Sequence, residues 1–484
     1  KLLAQTGGLG WWEVDAAMLP RNPAGPTTPS SICIASCGSP QTIASADAWS
    51  RDEISASLRF EAAKEEAGLG FAGFSTGVLL LSQTIIGAGL VAMPLAMATA
   101  GSIVGIGLFS VFGGLSAFSC HLLHRVAIDI GEAPCSFYTV AQKSAPGLTW
   151  LIDGIVCIQC FGCMCAYLIT AGDLIPSVVG YFGAHGFTRR ESVLLAFSIG
   201  APLSMLKHMA GLRKITFCAF GVTVWAAILP MLVFFRINGQ LEPCESSSEP
   251  LPCNGAPFTR APVDAVWFGQ HIGLFVLGFV CQMNVLTICN EISNATPRRF
   301  DAIIIIAHVL CFLLIVCAAY FGYATYGVAV KSNMFLSYPK GAIIWVTTRL
   351  SFLLVVVTMY TIQAHPCRSS AWALWQHCLA DRGSGSPSAR PLRGNSRFLE
   401  EPKMRWLTAA VLLSSLAVAL LVSDLGLVFS LVGGFCCPAV TYIIPGLFYA
   451  RRFPEAHLKR NLALGLMAVG CVSTAVCPAM VLFL

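Results

Sequence analysis

Charge is scarce in this chain, and that scarcity excludes most soluble folds. Asp, Glu, Lys and Arg make up 11% of the residues and hydrophobic types 56%. A soluble domain carries about 25% charge. The net charge of +6 is no nucleic-acid signal, because the basic residues lie between apolar runs and no basic stripe with interleaved aromatics occurs. HExxH is missing and no acids cluster inside the apolar runs, so no enzyme is expected. Residues 1–70 lack the basic start, apolar core and cleavage site of a signal peptide, which leaves the first apolar run as the insertion signal. Gly87-Ala88-Gly89-Leu90-Val91-Ala92 fits the dinucleotide fingerprint G-x-G-x-x-A, but the next acid is Asp129. That fingerprint needs an acid about 20 positions on, so no cofactor is expected beyond a coupling ion.

What the chain does have is about eleven apolar runs: 71–99, 102–126, 149–180, 191–206, 214–235, 265–290, 302–326, 341–365, 406–422, 426–449 and 461–484. Crossing a bilayer takes about 20 apolar residues, so the chain reads as an all-α polytopic membrane protein with the bilayer as its solvent. Residues 71–484 form the transmembrane domain. Residues 1–70 read as a flexible tail, with 51–67 able to form a short helix at the membrane surface, and 366–404 as a polar loop. Basic residues gather in the 207–214, 298–299, 366–404 and 451–460 segments, which places these and the amino terminus in the cytoplasm. Arg189-Arg190 is the misfit. The 237–264 loop then lies outside or in a lumen, where Cys244 and Cys253 can form a disulfide.

The first run is the centre of the reading. It is uncharged, and Gly87-Ala88-Gly89 and Pro94 interrupt it. Both residue types weaken a helix, and broken backbone at membrane depth is tolerated only against protein or water. Transporters build midplane sites this way. Elsewhere, Gln282 and Asn284 are amides in an apolar run, either bonding neighbouring helices or facing a ligand. Asp173 is either functional or interfacial. His121 and His124 share a helix face, as a metal pair or, more simply, a polar cap. Cys157, Cys160, Cys163 and Cys165 read as small packing residues.

Five stretches in order resemble the amino acid/auxin permease family: S-Q-T-I-I-G-A-G-L-V-A-M-P-L-A (82–96), A-Y-L-I-T-A-G-D-L-I-P (166–176), P-L-S-M-L-K-H-M-A-G-L-R (202–213), F-V-C-Q-M-N-V-L-T-I-C-N-E-I (279–292) and R-L-S-F-L-L-V-V-V-T (349–358). That family includes vacuolar and sodium-coupled neutral amino acid transporters. The resemblance implies a LeuT-like fold, two inverted five-helix repeats plus an eleventh helix, with the first and sixth spans unwound. It implies secondary active transport of an amino acid by alternating access, at a plasma membrane or a vacuolar or lysosomal one. Ser82, Gln83, Thr84, Ile86, Gly87, Ala88, Gly89, Gln282 and Asn284 become the expected substrate site. Gln83, Thr358 and Thr361 become the expected position of a coupling cation. Sodium-coupled members usually carry Asn near Gln83, which leaves the driving ion open between Na+ and H+. A membrane amino acid sensor signalling through the 1–70 tail remains the alternative.

Overall fold

The computed structural model describes residues 51–183, 186–205, 213–236, 244, 251–262, 264–339, 342–380 and 402–483. The expected tail therefore lies largely outside the described residues, as do most of the basic residues of the 366–404 loop. The described chain is all helical, and one isolated bridge, Ala72 to Ile292, is its only β pairing. Among the described residues, nine helices are long and apolar enough to cross a membrane, ten if the bent first pair counts as one span. The chain is a multi-pass membrane protein. The remaining expected span, 191–206, is the helix Arg189–Ser204, which at 16 residues is shorter than a full crossing.

In chain order the helices are α1 (Arg51–Glu66), α2 (Phe74–Ile86), α3 (Met93–Ala100), α4 (Ser102–Ile130), α5 (Phe137–Ser144), α6 (Thr149–Tyr181), α7 (Arg189–Ser204), α8 (Arg213–Phe234), α9 (Ala265–His271), α10 (Gly273–Leu277), α11 (Gln282–Glu291), α12 (Pro297–Tyr326), α13 (Ile343–Ala380), α14 (Pro402–Leu421), α15 (Leu425–Leu431), α16 (Ile444–Arg452) and α17 (His457–Phe483). Helix α13 runs on well past residue 365, where the apolar run ends, and the turns just beyond it keep a buried face: Arg368 donates to Ser204 O at 2.8 Å, and Trp372 is buried.

The first span breaks where its glycines stand. Helix α2 stops at Ile86, residues 87–92 form a 3-10 turn, and α3 starts beyond it with a 43° change of direction. Gly87 takes φ +43°, a value that glycine adopts without strain. The sixth span breaks too, but at 278–281, between α10 and α11. The break lies just before Gln282 and Asn284, the two amides of that run. Those amides open α11, while Gly278 and the backbone up to Cys281 make the gap. The tenth span is wound as wide π turns at Val432–Cys436 and Ala439–Ile443.

The two broken spans meet. Gly70 and Ala72 donate backbone N–H groups to Asn290 O and Glu291 O at 3.1 and 2.8 Å, and Ser293 N returns a bond to Ala72 O at 2.9 Å. Helix α1 is seated against the same junction. Phe60 and Lys64 are buried, Lys64 Nζ donates to Ile292 O at 2.6 Å, and Glu61 accepts from Ala295 N at 2.7 Å.

Several polar groups elsewhere in the spans find partners, as a low-dielectric interior favours. Asp173 faces Arg189 at 3.6 Å, which also accounts for one of the two misfit arginines. His121 bonds Asp301 at 2.8 Å while His124 stacks on Phe300, so the two rings do different things. Arg349, fully buried, donates to the carbonyls of Phe335, Tyr338 and Pro339 and pins the 334–339 turn. Cys244 and Cys253 are joined, their Cα atoms 5.6 Å apart.

Candidate functional site

A cavity lies beside the first break. Its lining is Thr84, Ile85, Ile86, Gly87 and Gly89 from the first span, Leu277 and Val280 from the sixth, Gln159, Cys163 and Tyr167 from α6, Gln363 from α13 and Phe429 from α15. Both interrupted spans thus contribute, and the walls between them come from three further helices. The space between atoms is about 360 Å³, but a water-sized sphere can centre in only about 20 Å³ of it. That is room for about one water. A larger molecule fits there only if the lining helices move apart.

The helix ends at the break explain what the cavity offers. Gly87 N–H bonds Gln83 O at the end of α2 and Met93 N–H bonds Leu90 O at the start of α3, so the 3-10 turn links the two helices, and its glycines Gly87 and Gly89 bring backbone to the cavity wall. Pro94 sits in the first turn of α3, where its missing N–H would have been unpaired in any case. The cavity also contains an orphan. Gln363 Oε1 is buried and accepts no hydrogen bond from any described residue. A lone buried acceptor is costly, and a cationic donor entering the cavity would satisfy it.

The expected site residues divide. Thr84, Ile86, Gly87 and Gly89 line the cavity, although the Thr84 hydroxyl returns to Leu80 O at 2.8 Å. The Ala88 side chain lies outside what is described. Ser82 and Gln83 are buried on the other faces of α2: the Ser82 carbonyl accepts from Cys311, and Gln83 Oε1 accepts from Thr223 at 3.4 Å. Gln282 turns to α4, donating to Ser116 Oγ at 3.0 Å. Asn284 is buried with its amide N–H group unpartnered, and it is not in the lining. Thr358 and Thr361 bond the carbonyls of Leu354 and Val357 at 2.7 and 3.0 Å, one turn back on their own helix.

Gln159, Tyr167 and Gln363 are the polar lining residues that the sequence reading did not single out. Two are amides in apolar spans, the same signal that drew attention to Gln282. The two glycines also differ. A Cβ on Gly87 would meet Met359 Sδ at 3.3 Å and come within 3.9 Å of the Tyr167 hydroxyl, whereas one on Gly89 would meet nothing within 4 Å. Gly73-Phe74-Ser75-Thr76-Gly77 spells G-x-S-x-G. A nucleophile elbow needs a strand leading into the helix, and here an isolated bridge residue and Gly73 precede the helix while Ser75 is exposed in its first turn.

A family model described as transmembrane amino acid transporter protein matches residues 72–483. The chain belongs to that family, as the five stretches had indicated. It is similar to vacuolar amino acid transporter 5 of Schizosaccharomyces pombe, 25% identical over 427 residues that cover 84% of this chain and 94% of that protein. Vacuolar amino acid transporter 6 of Saccharomyces cerevisiae is 26% identical over 426 residues, covering 80% and 91%. Sodium-coupled neutral amino acid symporter 2 of Danio rerio is 22% identical over 420 residues, covering 82% and 79%.

Proposed function

We propose that this protein carries amino acids across a membrane by alternating access between two inverted five-helix repeats, and that it is no enzyme. The observation that carries the reading is the cavity walled by both broken spans at Gly87. The substrate's α-carboxylate sits against the backbone of the break at Gly87 and Gly89, which lines the cavity and where broken helix can turn N–H groups to an anion. Its α-ammonium reaches the carbonyls at the end of α2 and the orphan Oε1 of Gln363. Cys163, Leu277, Val280 and Phe429 surround the side chain, an apolar lining that suits a neutral amino acid. The vacuolar relatives favour a vacuolar or lysosomal membrane over a plasma membrane, with the amino terminus cytoplasmic.

Thr358 and Thr361 donate their hydroxyl protons to the carbonyls of Leu354 and Val357, which leaves their oxygen lone pairs open to a cation, and Gln83 Oε1 stands 3.4 Å from the Thr223 hydroxyl. Gln83, near where sodium-coupled members of the family usually carry Asn, favours a proton gradient as the driving force. The test is uptake into proteoliposomes across a panel of amino acids, with a proton gradient and a sodium gradient imposed separately. Uptake of neutral amino acids that collapses with the proton gradient is expected. Uptake that needs sodium would move the coupling cation back to Gln83, Thr358 and Thr361. No uptake of any amino acid, alongside specific binding of one, would favour the sensor.

A further inference from the structure

Away from that cavity, two thiols and an imidazole converge. Cys120 lies on α4, Cys281 is the last residue of the gap in the sixth span, and His308 lies on α12. One ligand atom from each lies within 4.8 Å of the other two, and all three residues are buried. None of them lines the cavity.

The hydrogen bonds prepare the group for a cation. His308 Nδ1 stands 2.9 Å from Ile304 O. A carbonyl only accepts, so Nδ1 carries the ring proton and the neutral ring presents its lone pair at Nε2. Fixing a histidine in this way is what outer-shell carbonyls do for metal ligands. The Ser116 hydroxyl has one proton and two claimants, Phe279 O at 2.7 Å and His308 Nε2 at 3.2 Å. The shorter contact takes it, and Gln282 Nε2–H donates to the same oxygen at 3.0 Å. Nε2 is left facing the thiols.

Distances and charge then select the ion. Cys120 Sγ and Cys281 Sγ are 3.5 Å apart. Two thiolates on a tetrahedral zinc, with Zn–S of about 2.3 Å, stand about 3.8 Å apart, so small side-chain shifts suffice. Soft sulfur and imidazole donors exclude Mg2+ and Ca2+. Two thiolates, a neutral imidazole and a divalent cation sum to zero charge, whereas Cu+ would leave a net negative charge in a dry interior, which is costly.

We propose that Cys120, Cys281 and His308 bind one Zn2+ or a divalent cation like it. Two thiol protons leave as two sulfur–metal bonds form, and Nε2 makes the third. Ser116 Oγ or a water completes the tetrahedron. The ion ties the gap of the sixth span to α4 and α12. The sixth span walls the transport cavity, so the bound ion holds that wall and slows the cycle.

The experiment uses the full chain, purified under reducing, chelator-treated conditions and then equilibrated with ZnCl2. Zinc per folded chain is counted, and Co2+ is used as a probe for thiolate-to-metal charge-transfer absorption. One tight zinc per chain and cobalt–thiolate bands are expected. C281S and H308Q should each weaken binding at least about 10-fold, since losing a ligand exceeds losing an outer-shell partner. C471S, an exposed cysteine, should change nothing. H308C, which keeps three soft ligands, should retain the ion, so loss in H308Q cannot be mistaken for misfolding. Equal zinc in wild type, C281S and H308Q overturns the site. So does a Cys120–Cys281 disulfide in the isolated protein with no bound zinc. The clamp is read from uptake: zinc should slow wild-type uptake reversibly and leave C281S unaffected. Zinc that binds at the site without slowing uptake overturns the clamp alone. The uptake arm rests on the transport reading, and the metal count does not.

Discussion

Gly87 and Gly89 look equivalent in the sequence and differ in the fold. Gly87 has a positive φ and faces Met359 and Tyr167 across the cavity, while Gly89 has open space where a Cβ would stand. An L-residue in the left-handed region costs about 1–2 kcal/mol. Its methyl would also take room from a cavity that holds about one water. Gly87→Ala is expected to cut uptake per folded molecule by about 10-fold or more. Gly89→Ala should keep the fold and most uptake, although Gly89→Val brings bulk to the lining. Substrate binding measured on monodisperse protein in detergent separates these outcomes. Equal uptake in Gly87→Ala and wild type would move the substrate away from the break. Gln363 gives a second residue-scale test. If its orphan oxygen receives the α-ammonium, Gln363→Met removes one charge-assisted bond, worth about 1.5–3 kcal/mol. The expected signature is a KM raised about 10-fold or more with kcat little changed. An unchanged KM would take Gln363 out of the site.

At the scale of elements, the position of the first break was legible and its partners were not. Glycines in an uncharged run betray a weak helix wherever they are read. Gln159, Tyr167 and Gln363 reach the break because α6 and α13 pass beside it at one rotation, and rotation about a helix axis is set by packing between spans. The same limit explains Gln282. An amide in an apolar span serves a ligand or a neighbouring helix, and here the neighbour is Ser116 on α4. The glycine pairs of the spans sort by what lies opposite. On α4, Gly113 makes room for the Phe279 ring in the sixth-span gap, while Gly114 and Gly107 face open space. Between the sixth and tenth spans the backbones themselves touch: a Cβ on Gly273 would stand 2.5 Å from Gly434 N, and one on Gly433 2.5 Å from Gly273 O. Backbone atoms cannot swing aside as a methionine can. Gly273→Ala and Gly433→Ala should each lower stability by about 1–3 kcal/mol or more, read as a lower melting temperature in detergent. Gly114→Ala and Gly107→Ala should be neutral or slightly stabilising. Melting points that do not separate the two pairs would deny the close crossing.

Considered as a whole molecule, the chain carries a constraint on topology that the basic residues alone did not supply. Helix α1 is bound through Lys64 and Glu61 to Ile292 O and Ala295 N, so α1 and Asn294 lie at one end of the spans. Helix α12 starts at Pro297, directly after Asn294, and ends at Gly327, whose Cβ position abuts Pro257 O and Ala256 O just beyond Cys253. Thirty residues of α helix are about 45 Å long, which is enough to cross a bilayer. Asn294 and the Cys244–Cys253 bridge therefore stand on opposite sides of the membrane. Asn294-Ala295-Thr296 is a glycosylation sequon, and both glycans and persistent disulfides belong to the same oxidising side. One molecule cannot carry both marks. With the amino terminus cytoplasmic, as proposed, Asn294 lies inside, so the expected pattern is a linked Cys244–Cys253 peptide and an unmodified Asn294. Mass spectrometry of the non-reduced protein from a eukaryotic host reads both at once. A glycan on Asn294 with both loop cysteines free to alkylate would invert the molecule, placing α1 outside. A glycan and a disulfide in the same molecule would break the packing of α12 between the two ends.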